Sequence, residues 1–151
     1  MEAISLVASI ITLISATSHT ASILIRVWGL RGMSLYVVGA INEVNDFKAT
    51  LSLVRKALKE TLDQLPQGHQ TEFGRLSERA MAHIDAFSKH LRRNVLREEM
   101  AGSDKVVRLK RRVEWIDVMG RSQAQCQIDA FQQELALLKL SFVLAMNATN
   151  L

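Results

Sequence analysis

Four histidines and one cysteine are the side chains of this 151-residue chain best suited to holding a metal ion or acting as a nucleophile. His19, His69 and the pair His83 and His90 are scattered along it. His83 and His90 share a helix face, but they are seven residues apart, whereas two ligands on one helix are usually three or four apart. Cys126 is the single cysteine, which excludes an intramolecular disulfide framework and a cysteine-based zinc site. Nothing near it in sequence supplies a base, so the expectation is a partly buried, unreactive thiol. There is no Gly-x-Ser-x-Gly elbow, no phosphate-binding glycine loop and no His-Glu-x-x-His. The chain therefore reads as non-enzymatic, with no catalytic residues, no cofactor and no metal site expected.

The charges are more informative. Between Lys89 and Arg112 stand nine basic residues, Lys89, Arg92, Arg93, Arg97, Lys105, Arg108, Lys110, Arg111 and Arg112, against the acids Glu98, Glu99 and Asp104. That segment carries +6 of a chain total of +4, so the remainder is at −2. Clustered charge of this kind suits a solvated surface or anionic lipid head groups, where each basic residue near the surface contributes roughly 1 kcal/mol. Nucleic acid is not expected, because the segment lacks interleaved aromatics and any groove-reading motif.

A third chemical feature is the opposite of charge. From Ala3 to Ile25 there are 23 residues without one Asp, Glu, Lys or Arg. As a helix they would be about 35 Å long, enough to span a bilayer core. Eight of them are Ser or Thr. At 100° per residue Ser5, Ser9, Thr12, Ala16 and His19 fall on one face. Ile4, Val7, Ile11 and Ile14 fall on another, with Leu6, Ile10 and Leu13 beside them. The segment reads either as a core helix of a soluble bundle or as a helix that packs in the soluble form and can enter a membrane. A secretory signal fits poorly, since the chain opens with Glu2 rather than positive charge.

The elements that position these residues are helices with clear punctuation. The first spans about residues 3–28 and ends where Gly29 and Gly32 bracket a break. Ser34 is placed to cap the second. Its stripe is Ile41, Val44, Phe47, Leu51, Val54, Leu58, Leu62 and Leu65, ending at the only proline, Pro66. Thr71 is read as the cap of a third, with Phe73, Leu76, Ala80, Ile84, Phe87, Leu91 and Val95 as its buried face. Ala101-Gly102-Ser103-Asp104 reads as a stop and restart. A short amphipathic helix should follow, carrying Val106, Leu109, Val113 and Ile116. Gly120 then interrupts, and Ser122 with Gln125 forms a capping box for the last helix. Its stripe is Ile128, Phe131, Leu135, Leu138, Phe142 and Ala145, and it is apolar almost all round from Leu135 to Met146, which suggests a central position.

Composition agrees with this reading. The chain is 48% apolar, 23% charged and 5% aromatic, with one proline and seven glycines. That argues against disorder and against a turn-rich β fold, and the length suits a single domain over 1–151 with a substantial core. The expected fold is all-α, a bundle of four long helices plus a short connecting helix, with neighbours in sequence antiparallel. Trp28 and Trp115 are expected to be partly buried. Asn147-Ala148-Thr149 matches a glycosylation sequon, a pattern common by chance.

Several segments also share a pattern with a known family. Met1-Glu2-Ala3-Ile4-Ser5-Leu6-Val7-Ala8-Ser9-Ile10 resembles the opening of fungal N-terminal domains attached to STAND (NACHT- or NB-ARC-containing) receptors. Asn42-Glu43-Val44-Asn45-Asp46-Phe47-Lys48-Ala49-Thr50-Leu51 is similar to their second helix. Arg111-Arg112-Val113-Glu114-Trp115 resembles their Lys-Leu-Lys-Trp segment, and Gln132-Gln133-Glu134-Leu135 through Asn147 their closing helix. These domains are similar to the HeLo and HeLo-like domains of fungal incompatibility proteins and, more distantly, to the four-helix bundle of the animal necroptosis executioner MLKL.

The resemblance implies a cytoplasmic helical bundle that self-associates, moves to the plasma membrane and kills the cell through its apolar N-terminal helix. Here the membrane-active residues would be Ile4, Leu6, Val7, Ile10, Ile11, Leu13 and Ile14, with the nine-residue basic segment facing anionic lipid. In the soluble state the first helix should pack against helices two and four. The family joins such bundles to a nucleotide-binding domain, which does not follow here. The chain is then expected to be either a fragment or a stand-alone member triggered by a partner in trans, such as a STAND receptor or a like domain. The rival expectation is a soluble adaptor that pairs with such a receptor and leaves membranes intact; a third reading is a permanently anchored membrane protein.

Overall fold

The apolar stripes fold as their spacing predicts. The computed structural model describes residues 3–29, 35–61, 63–94, 96–101, 104–109 and 120–149; at 3, 27–29, 35–36, 93–94, 96–101, 104–109 and 120–125 the description is of backbone alone. Four long helices emerge: α1 (Ala3–Gly29), α2 (Leu35–Glu60), α3 (Gln67–Asn94) and α4 (Gly120–Ala148). In α2, Val44, Phe47, Leu51, Val54 and Leu58 are buried, as are Phe73, Leu76, Ala80, Ile84, Phe87 and Leu91 in α3. Ile128, Phe131, Leu135, Leu138 and Phe142 do the same for α4, and Ile41 and Ala145 pack at the core's edge. Each fully buried Val, Leu, Ile or Phe among them contributes about 1.5–3 kcal/mol by leaving water, which is what holds helices of mixed propensity in place.

Side-chain partners define how the helices run. Phe73 and Phe87 of α3 meet Phe142 and Phe131 of α4 respectively, so these two helices are antiparallel. Glu43 and Phe47 of α2 meet Lys139 and Phe142 of α4 in rising order, so α2 and α4 are parallel. Ser77 and Met81 of α3 lie by Ser5 and Thr12 of α1, and Arg92 reaches His19, so α1 and α3 are parallel too. Up-down-up-down alternation follows. The principal packed pairs are α1 with α2, α2 with α4, α4 with α3, and α3 with α1. Hence α2 and α3, though joined by six residues, stand on one diagonal, and α1 and α4 on the other. This corrects the expectation that α1 packs against helices two and four; its neighbours are α2 and α3.

The short link between α2 and α3 departs from the stripe in an instructive way. α2 ends at Glu60 rather than at Leu65, and Thr61 closes it by donating both its N–H and its hydroxyl to the Ala57 carbonyl. Leu65 is nonetheless buried, plugging the core from the loop. Pro66 stands immediately before α3, and its carbonyl accepts from the N–H groups of His69 and Gln70 in the helix's first turn. Gln70 Nε2 donates to the Leu65 carbonyl at 2.9 Å. Thr71 is therefore inside the helix, not its cap, and its hydroxyl donates to the Gln67 carbonyl. Leu62, Val95 and the proposed cap Ser34 lie outside the described residues.

Between α3 and α4 the expected short helix is replaced, over its first half, by a hairpin. β1 (Leu96–Ala101) and β2 (Asp104–Leu109) pair antiparallel, with Leu96 opposite Leu109 and Ala101 opposite Asp104. Val106 and Leu109 thus belong to a strand. Val113, Trp115 and Ile116 lie outside the described residues. The ladder's last pair is Ala101 with Asp104, Gly102 and Ser103 lie outside the described residues, and in sequence a Gly-Ser pair between two β-compatible runs is a hairpin signature that competes with the helical spacing of Val106 and Leu109. α4 begins at Gly120, so Gly120 opens the helix and Ser122 falls within its first turn.

Candidate functional site

Among the described residues α1 is one helix long and apolar enough to cross a membrane. The span Ile4–Arg26 has mean hydropathy 1.5, and 39% of it is buried in the bundle. The seven aliphatic residues singled out from the sequence divide between two environments. Leu6, Val7, Ile10 and Leu13 are buried and Ile14 is half-buried, whereas Ile4 is 71% and Ile11 40% exposed. Ile4, Ala8, Ile11, Ser15, Ser22 and Ile25 form an outer face that is without charge until the exposed Arg26 closes it.

Five of the eight hydroxyls of α1 are already engaged. Ser9, Thr12, Thr17, Thr20 and Ser22 each donate to the carbonyl four residues earlier, at 2.7–3.1 Å. Thr17 and Thr20 are buried, so the same bond lets them sit in the core. Serine and threonine that bond back to their own helix present little unsatisfied polarity to any surroundings, protein or lipid.

The basic segment is divided over two elements. Lys89 pairs with Asp85 at 3.0 Å on the exposed face of α3, and Arg92 donates to His19 Nε2, tying α3 to α1. Arg93 is on the last turn of α3, and Arg97, Lys105 and Arg108 are on the hairpin, where Arg97 stands opposite Arg108 in the ladder. Lys110, Arg111 and Arg112 lie outside the described residues.

Two features were not anticipated. The first is the outer face of α4, where Leu137, Leu140, Val143 and Leu144 are exposed. The expectation of a central α4 is corrected: in a four-helix bundle each helix buries one face, so a helix apolar all round must leave its surplus outside. That surplus was visible in the sequence and was assigned to the wrong place. The second is a pair of grooves. One, of about 530 Å³, runs between α1 and α3. The other, of about 290 Å³, lies between α3 and α4, where His83 stacks on Phe131 at 5.2 Å and 19°. There His83 Nε2 and Gln127 Oε1 are buried without a hydrogen-bond partner among the described residues. Cys126 is exposed rather than partly buried. No group of three or more His, Cys, Asp or Glu capable of holding a metal occurs among the described residues.

Fold and site together define an all-α four-helix bundle with a helix uncharged from Ala3 to Ile25 at one corner and an exposed apolar helix face at the corner diagonal to it. No known family model, no curated protein and no solved structure matches the chain.

Proposed function

We propose that this chain is a non-enzymatic effector domain of regulated cell death, similar to the HeLo-like fungal STAND N-terminal domains, that oligomerises and permeabilises membranes through α1. The observation that carries this reading is α1 itself: uncharged from Ala3 to Ile25, long enough to span, and with five of its eight hydroxyls bonded to its own backbone. Such a helix exchanges a protein core for a lipid core at small polar cost. Leaving the bundle is not free, because the apolar side chains it withdraws each forfeit about 1.5–3 kcal/mol if they meet water. Release therefore requires insertion or self-association to replace that burial. The basic residues on α3 and the hairpin support docking at an anionic leaflet, and the cytoplasm and plasma membrane are the two locations this cycle connects.

Dye release from vesicles tests the reading. Vesicles containing phosphatidylserine should leak and neutral ones should not, and Ile11→Asp, on the exposed face, should stop leakage while leaving the bundle folded. Equal leakage from Ile11→Asp would remove α1 from the mechanism.

A second reading is a soluble adaptor that pairs with a STAND receptor or a like domain. The exposed Leu137, Leu140 and Leu144 row supports it, since that face can dock without α1 leaving the core. An adaptor stays in the soluble fraction after forced oligomerisation; the effector moves to membranes.

A further inference from the structure

We propose that the groove between α1 and α3 binds an aliphatic chain carrying a positively charged nitrogen, an alkylamine. The groove exists because both helices present short side chains along the same two turns. Ser5, Ser9 and Thr12 of α1 face Ser77 and Met81 of α3, and the methyl groups of Ala8 and Ala82 complete the walls. Its volume of about 530 Å³ falls within the span usual for small-molecule sites, roughly 300–1,000 Å³.

The chemistry of the walls selects the tail. The hydroxyls of Ser9, Thr12 and Ser77 already donate to carbonyls of their own helices, at 3.0, 3.0 and 2.8 Å. They have no proton left to offer a sugar or a phosphate. Apart from the exposed Ser5 hydroxyl and the Glu78 carboxylate, what remains is methyl, methylene and thioether surface, which suits a hydrocarbon chain.

Charge selects the head. Glu78 is the ionisable residue of the groove, and it has no ion-pair partner among the described residues. Its neighbours on α3 are engaged: Glu72 holds Arg75 at 2.7 Å, Asp85 holds Lys89 at 3.0 Å, and Arg79 reaches Glu134 of α4 at 2.8 Å. A shallow recess beside Glu78 includes Arg75, whose guanidinium Glu72 already occupies. A carboxylate alone at the rim of an apolar groove attracts a cation and repels a fatty acid or a phosphate head group. An occupant touches both α1 and α3, so it also ties α1 to the bundle.

Binding of dodecylamine, dodecanol and dodecanoate to the full chain, each below its micelle concentration, tests this by calorimetry and by the shift in Tm. Dodecylamine should bind at least tenfold more tightly than dodecanol and raise Tm, and dodecanoate should bind least. Glu78→Gln should bring dodecylamine to the level of dodecanol. Ala82→Trp, a substitution at an exposed position that fills the groove, should abolish binding of all three with helical content unchanged. Thr12→Phe fills it from the other wall and gives the same test should Ala82→Trp not fold. Equal or tighter binding of dodecanoate, or binding undiminished by filling the groove, overturns the proposal.

Discussion

Ile11 and Leu13 stand two residues apart on α1 and face different media: Ile11 is 40% exposed and Leu13 is wholly buried. The same substitution at the two positions therefore separates folding from membrane entry. Leu13→Asp places an unpaired carboxylate in the core and should lower stability by about 4 kcal/mol or more. Ile11→Asp should cost within about 1 kcal/mol, because only surface and helix propensity are affected. Urea unfolding followed by circular dichroism checks both. Similar losses at the two positions would mean that Ile11 is held in a contact the monomeric bundle does not have.

Phe142 lies where three helices meet, its ring centroid 6.1 Å from Phe47 of α2 and 6.5 Å from Phe73 of α3. Phe142→Ala leaves a cavity bounded by all three and should lower stability by about 3–5 kcal/mol. Phe142→Leu, which keeps most of the volume, should lose markedly less. The denaturant midpoint with unchanged m-value is the measurement, and a loss below about 1 kcal/mol for Phe142→Ala would contradict the junction.

At Gly39 α2 passes close to α4. A methyl group there would come within 2.8 Å of Gln132 Nε2, the free end of a flexible side chain. That amide can swing aside, so Gly39→Ala should gain most of the helix-propensity difference and raise stability by about 0.5–1 kcal/mol. A fall in Tm would show instead that Gln132 is held in place by its surroundings.

His83 stacks on Phe131, yet its Nε2 is buried without a hydrogen-bond partner among the described residues. His83→Phe keeps the ring and removes the unsatisfied atom, so thermal unfolding should shift upward by the equivalent of about 1 kcal/mol. His83→Ala, which loses the stacking, should shift it downward. A destabilising His83→Phe would mean that the nitrogen binds something in the α3–α4 groove.

The helix stripes were legible from residue spacing because a core-facing side chain recurs every three or four residues whatever its partner. Val44 to Leu58, Phe73 to Leu91 and Ile128 to Phe142 all became core. The hairpin was not, because Val106 and Leu109 fit a helical stripe, and only the Gly102-Ser103 pair argued for a turn between strands. The start of α3 was misplaced for a related reason. Thr71 and Pro66 both suit a helix entry, and the proline that ended one stripe stands immediately before the next helix.

The candidate site was half legible. The absence of charge from Ala3 to Ile25 is a property of composition and survives any packing. Which of its aliphatic residues remain outside is not, since Leu6 and Ile4 differ by only two positions and their burial depends on where α2 and α3 stand. The α1–α3 groove was beyond sequence for the same reason: short side chains on two helices make a cavity only if those helices are neighbours.

Sequence by itself determined four helices, their core faces, the uncharged run from Ala3 to Ile25 in the first and the concentration of positive charge between Lys89 and Arg112. These are local quantities, set by periodicity and composition. Only the tertiary structure decided that α2 and α3 share a diagonal, that α1 meets α3 rather than α4, and that the surplus leucines of α4 face outward. Those outcomes depend on how four stripes close around one core, where each helix can bury one face and must leave the other outside.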